Sequence, residues 1–226
     1  MQILTKYKSG SLSNAPFADA LLNPREAVSL FRDFIWENIV TAQQYVLTGA
    51  PVITRSTTVC TGVWGIASNG TPAAFCVGST GAVTQAAVGR IISCEFLVAV
   101  TDVTTASCAQ FVGLSSSGTV APITVAGVPD ASRSCIGFAF VQGAINGVFG
   151  TAATGTVTLA TGNTAAAYRR LGFVVKGTTQ IDWYVDGNFV TTSTTVPTTA
   201  MFESYSNASA VAQGCSVDYM ALGFTR

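Results

Sequence analysis

Histidine is absent from the 226 residues. That removes Ser-His-Asp and Cys-His constellations, His-ligated metal sites and the usual general base. What remains for acid–base chemistry is carboxylate, and glycoside hydrolysis needs two carboxylates flanking one bond. From residue 51 onward there are seven: Glu95, Asp102, Asp130, Asp182, Asp186, Glu203 and Asp218. Only Asp182 and Asp186 are near each other along one predicted strand, and Asp186 is better explained by a turn. Glu95, between Cys94 and Phe96, is either buried and paired or facing solvent. No catalytic residue is assigned, and no enzyme is expected. No phosphate-cradling Gly loop precedes a helix and no Asp/Asn-rich loop fits a calcium hand, so no cofactor or metal is expected either. Tyr184, Tyr205 and Trp64 could stack on sugars or bases, but the favoured reading is that each fills the core or a subunit interface.

The elements that would position these residues are short strands. Candidates lie at 90–100, 109–114, 119–126, 134–141, 156–159, 169–175, 180–185, 189–194, 201–205 and 216–224, with Gly, Asn, Asp or Pro at most junctions. Residues 147–150, Gly-Val-Phe-Gly, read as a turn. Residues 181–190 carry the strongest local pattern. Ile181, Trp183 and Val185 point one way and Asp182 and Tyr184 the other, and Asp186-Gly187 suits the positive φ angles of a tight hairpin. About ten strands with no helix between them predict a mainly β, antiparallel two-sheet jelly-roll sandwich over residues 51–226.

Residues 1–50 read differently, as an N-terminal arm followed by one amphipathic helix. Asn23 can cap the helix, Pro24 fits its first position and Glu26 completes the box. Polar residues recur every three or four positions through 24–45, and Gly49 and Pro51 end it. Its apolar face packs either on its own β domain or on a partner. Phe31, Phe34, Ile35 and Ile39 are the candidate partner contacts.

Composition narrows the partners. Charged residues make up only 10% and the formal net charge is zero. The eleven basic residues are scattered, with only Arg169-Arg170 adjacent, so neither nucleic acid nor an anionic membrane surface is expected. No apolar run reaches membrane-spanning length, and Met1 to Gly10 lacks the apolar stretch of a secretory signal. A charge-poor surface suits large permanent interfaces. The six cysteines are widely spaced without a CxxC motif. They read as free buried thiols of a chain made in a reducing cytosol.

The run Ile181-Asp182-Trp183-Tyr184-Val185-Asp186-Gly187-Asn188-Phe189-Val190 resembles a hairpin of concanavalin-like (laminin-G-like) jelly-rolls. Val217-Asp218-Tyr219-Met220-Ala221-Leu222-Gly223 is similar to the closing strand of those modules in tailed-phage virion proteins. Phe111-Val112-Gly113-Leu114 and Ile136-Gly137-Phe138 fit internal strands seen there. The likeness spans roughly residues 90–224 and leaves 1–50 outside. It implies a virion location, as a capsid decoration (cement) protein or as part of a fibre, both commonly trimeric. Hydrolases sharing this fold carry a Glu-x-Asp-x-x-Glu strand, which is missing here. The expectation is therefore a non-enzymatic decoration protein on the capsid surface, made in the host cytoplasm. It would bind the major capsid protein and form a homotrimer. The alternative is a fibre module that binds host surface glycan, and behind it a glycoside hydrolase on the same sandwich.

Overall fold

The computed structural model describes residues 27–33, 45–49, 51–55, 63–68, 75–100, 109–150, 155–208 and 214–225. Among them are sixteen strands, numbered in chain order, in two antiparallel sheets. The first sheet runs β14 (Asn188–Ser193), β13 (Gln180–Val185), β12 (Arg169–Lys176), β7 (Ile91–Val100), β16 (Gly214–Thr225), β4 (Trp64–Ser68) and β3 (Pro51–Arg55). On β16, the edge that takes β4 along Gly214 to Val217 takes β1 (Ala27–Asp33) along Tyr219 to Thr225. The second sheet runs β11 (Thr156–Ala160), β10 (Ala144–Gly150), β9 (Cys135–Val141), β8 (Gln110–Ser115), β15 (Ala200–Asn207), β5 (Phe75–Ser79) and β2 (Tyr45–Thr48). The two-residue β6 (Thr84–Gln85) also pairs with β15.

The predicted two-sheet, mainly β architecture is what the described residues form. The predicted amphipathic helix is corrected over its first half, because 27–33 is strand β1. The physical reason is an open ladder. β16 is twelve residues long and β4 stops at Val217, so seven residues of β16 would otherwise leave backbone groups unpaired. Val28, Leu30 and Phe31 suit a strand as well as a helix, and tertiary pairing decides between them. Phe31 thus sits on β1 opposite Ala221. Phe34, Ile35 and Ile39 lie outside the described residues, as does most of the arm.

Two further strand assignments change. Residues 119–126 form no ladder, only an isolated bridge from Ile123 to Pro129. Pro122 and Pro129 remove donors, and Gly127 turns the chain at φ 72°. Residues 147–150, read as a turn, lie within β10, where a glycine serves packing. A Cβ on Gly147 would lie 3.0 Å from the Trp183 indole.

The core between the sheets is aromatic. Phe96, Phe173 and Trp183 from the first sheet meet Phe138, Phe149 and Tyr205 from the second. Phe138 and Trp183 pack edge-to-face with centroids 5.5 Å apart. A second, smaller cluster lies on the outer face of the second sheet. There Ile123, from the 116–134 loop, covers Phe111, Cys135, Ala139 and Val148. Cys76, Cys94, Cys135 and Cys215 are free and buried, which agrees with the thiol expectation at these four positions. Burial pushes the Cys135 and Cys215 thiols up to about 12, so neither is a nucleophile at neutral pH.

Candidate functional site

The outer face of the first sheet carries a cluster of polar groups around two aromatic rings, Tyr184 and Phe189. In β13, alternation sends Ile181, Trp183 and Val185 into the core and turns Gln180, Asp182 and Tyr184 outward. The hairpin to β14 is the predicted tight turn, with Asp186 at φ 52° and Gly187 at φ 82°. A bulge follows, since Tyr184 pairs with Phe189 while Trp183 pairs with Thr191. Val190 is the extra residue. The bulge lets Phe189 and Thr192, three residues apart, reach the same face. Phe189 packs edge-to-face on Tyr184 at 5.8 Å and is 57% exposed.

Fixed polar groups surround this aromatic pair. The buried Asp182 carboxylate accepts from Gln180 Nε2 at 2.8 Å and from Thr192 Oγ1 at 2.7 Å. It also pairs with Lys176 Nζ at 2.6 Å. Burial works against its charge, but the hydrogen bonds from Lys176, Gln180 and Thr192 outweigh that and hold its carboxyl below the usual range. At the turn, Asp186 pairs with Arg169 at 2.9 Å, and Arg170 donates from its guanidinium to the Asp186 carbonyl at 3.1 Å. The Arg170 backbone N–H donates to Asp186 Oδ1 at 3.0 Å. Glycine at 187 is favoured by its φ of 82°, and a Cβ there would also displace the tip of the Arg170 guanidinium.

The Asp182 geometry has a pH consequence. A carboxyl with a lowered folded-state pKa stabilises the fold above its unfolded value of about 3.9, and that contribution disappears as pH falls through the folded value. Asp182→Asn is therefore expected to lower stability at pH 6, with the gap to the parent protein closing towards pH 3. Urea melts across that range check it; a gap independent of pH would contradict the assignment.

Glu95 resolves as buried and paired. It is 2% exposed and accepts from Tyr219 Oη at 2.7 Å. Burial raises its pKa, against the Tyr219 hydrogen bond and the Arg170 charge. Glu203 lies inside the core, where its Oε1 accepts from Tyr45 at 3.1 Å and from Tyr205 at 2.6 Å. It fastens the short edge strand β2 to β15. The register places Glu95 opposite Gly172, and Gly172 opposite Tyr184. The Cα atoms of Glu95 and Asp182 are thus two strands and two residues apart, roughly 12 Å by strand spacing. Among the described residues, no group of three or more His, Cys, Asp or Glu side chains could hold a metal ion. None of their helices is long and apolar enough to cross a membrane.

Of the aromatic candidates, Tyr184 is on this face, Tyr205 is core, and the Trp64 side chain is outside the described set. Sequence reasoning missed Phe189, which the two-residue Asp186-Gly187 turn sets opposite Tyr184.

No family model matches the sequence, and no curated protein matches it. Solved structures do match the fold. The carbohydrate esterase of Shiga toxin-encoding bacteriophage phi24B aligns with TM-score 0.61 and 12% identity over 88% of this chain and 100% of that one. The carbohydrate recognition domain of Emp46p, in its potassium-bound form, aligns with TM-score 0.58 and 6% identity over 84% and 94%. An endo-1,3-β-glucanase from Streptomyces sioyaensis aligns with TM-score 0.57 and 14% identity over 90% and 98%. At these identities the likeness is one of fold: the chain is a two-sheet jelly-roll, the architecture these three structures share.

Proposed function

We propose that this chain is a non-catalytic jelly-roll carried on a virus particle, where it binds a carbohydrate of the host surface. The observation that carries the reading is the Tyr184–Phe189 pair, an aromatic platform with Phe189 exposed, set by a tight hairpin and flanked by fixed hydrogen-bonding groups. A sugar ring presents a C–H face that stacks on such a platform, while Thr192 and Gln180, on the same face, offer polar groups to its hydroxyls. The non-catalytic part rests on carboxylates already engaged by internal donors. The phage esterase, the recognition domain and the glucanase support the reading by shared fold.

The test is retention of the purified chain on isolated host envelope, compared with Tyr184→Ala and Phe189→Ala. The expected result is binding by the parent chain and a loss of about tenfold in either variant, with melting curves little changed. Equal binding by the double variant would overturn the platform.

A second reading, a capsid decoration protein that forms a homotrimer on the major capsid protein, is favoured by one observation. The edge strand β14 carries no charge, and Phe189 and Val190 are exposed along it, which leaves that edge open to another chain. Co-sedimentation with virus particles stripped of the protein, in the absence of glycan binding, would establish it instead.

A further inference from the structure

We infer that the carbohydrate taken by the Tyr184–Phe189 platform is neutral, a polymer of plain hexoses or pentoses without carboxylate, sulfate or phosphate groups. The inference rests on the carbohydrate-binding reading of that face and adds its substrate class. It comes from the balance of charge around the platform. The strands β12 and β13, with the turn from β13 to β14, bring Arg169, Arg170 and Lys176 against Asp182 and Asp186, and β7 adds Glu95. That is three cations and three anions. β14 itself, from Asn188 to Ser193, adds no charge.

Each cation is already committed. Lys176 is paired with Asp182 at 2.6 Å, and Arg169 with Asp186 at 2.9 Å. Arg170 donates to the Asp186 carbonyl at 3.1 Å, and its charge also acts on Glu95. The Arg169 Nε is buried from solvent, out of a sugar's reach. An anionic sugar is held best by a guanidinium that offers two parallel N–H groups. To supply one here, Arg169 would have to leave Asp186. The Asp186 carboxylate would then face the incoming negative charge without its partner. A neutral sugar asks for no such exchange. It stacks its apolar face on Phe189 and Tyr184 and shares hydroxyls with Thr192 and Gln180, leaving the ion pairs in place.

The inference predicts the salt response as well. Stacking and neutral hydrogen bonds are unaffected by screening, whereas capture of an anionic polymer weakens as ionic strength rises. The experiment passes the full chain over immobilised neutral polymers (dextran, laminarin, mannan) and anionic ones (dextran sulfate, polygalacturonate, polysialic acid). Each is run at low and at high sodium chloride. The expected result is retention by at least one neutral polymer, changing less than about twofold with salt and lost in Tyr184→Ala and Phe189→Ala. Retention by anionic polymers alone, lost at high salt, would overturn the inference while leaving carbohydrate binding intact. Retention by no polymer at all would remove the binding reading and this inference together.

Discussion

Trp183→Ala is expected to destabilise the protein by about 3 to 5 kcal/mol, the largest effect of any single truncation in the core. The indole is fully buried. It lies edge-on to Phe138 at 5.5 Å and to Phe173 at 5.9 Å, and tilted against Phe149 at 6.1 Å. It therefore joins the two sheets where their aromatic side chains interdigitate. Its Nε1 donates to Ser193 Oγ at 2.9 Å, so truncation also removes that hydroxyl's donor. Beneath the ring is Gly147, which has no side chain to fill the space vacated. Urea denaturation measures the loss. Trp183→Phe, which keeps an aromatic ring but not the N–H, should fall between parent and alanine variant. A loss under about 1 kcal/mol for the alanine variant would mean that the aromatic cluster repacks and does not lock the sheets.

Gly78→Ala is expected to cost about 3 kcal/mol, at the upper end for one added methyl. The reason is local and severe. Gly78 lies on β5 where the 116–134 loop crosses the outer face of the second sheet, and a Cβ there would fall inside the backbone of Gly118. The clash is with main chain, so no side-chain rotation relieves it. The loop must lift, and with it Ile123 leaves Phe111, Ala139 and Val148. Gly81→Ala is the control, because nothing lies within 4 Å of the position its Cβ would take. Amide exchange reads the difference directly. The glycine-to-alanine change at 78 should accelerate exchange across 116–134, and the change at 81 should not. Unaltered exchange in the loop would show that the close approach of the two glycines does not hold it down.

These two sites also show how legible the fold was in the sequence. The hairpin carrying Trp183 could be read almost residue by residue. Strict alternation fixes which side chains go inward, and Asp-Gly supplies the two positive φ angles of the turn. Gly78 and Gly147 could not be read, because both answer to chain far away in sequence. A glycine that makes room for an indole looks the same as a glycine that makes a turn, so the pattern of residues 147–150 reads as a turn although it lies within β10. Residues 27–33 carry a helical spacing of polar groups, yet they form a strand because β16 offers an open edge nearly two hundred residues later. Local pattern cannot anticipate a vacancy of that kind.

The site was partly legible for similar reasons. Tyr184 was visible as an outward aromatic by alternation alone. Its partner Phe189 follows from the two-residue turn, but the one-residue bulge beyond it breaks the parity by which alternation would turn Thr192 inward. The partners of Glu95 and Glu203 include Tyr219 and Tyr45, 124 and 158 residues away. That either carboxylate is hydrogen-bonded and buried follows only from the assembled sheets. The absence of histidine, by contrast, was complete information from the start, and it directed attention to the carboxylates that the fold then places in internal hydrogen bonds.

The most direct test of the central claim is a nuclear magnetic resonance titration of the chain, labelled at its phenylalanine and tyrosine rings, with the neutral oligosaccharide selected from host envelope. Binding at the platform predicts saturable shifts of the Phe189 and Tyr184 ring resonances, with the buried Phe96, Phe138 and Phe173 rings unmoved. Saturable shifts confined to other rings, or no shift at saturating sugar, would contradict the assignment of this face as the binding surface.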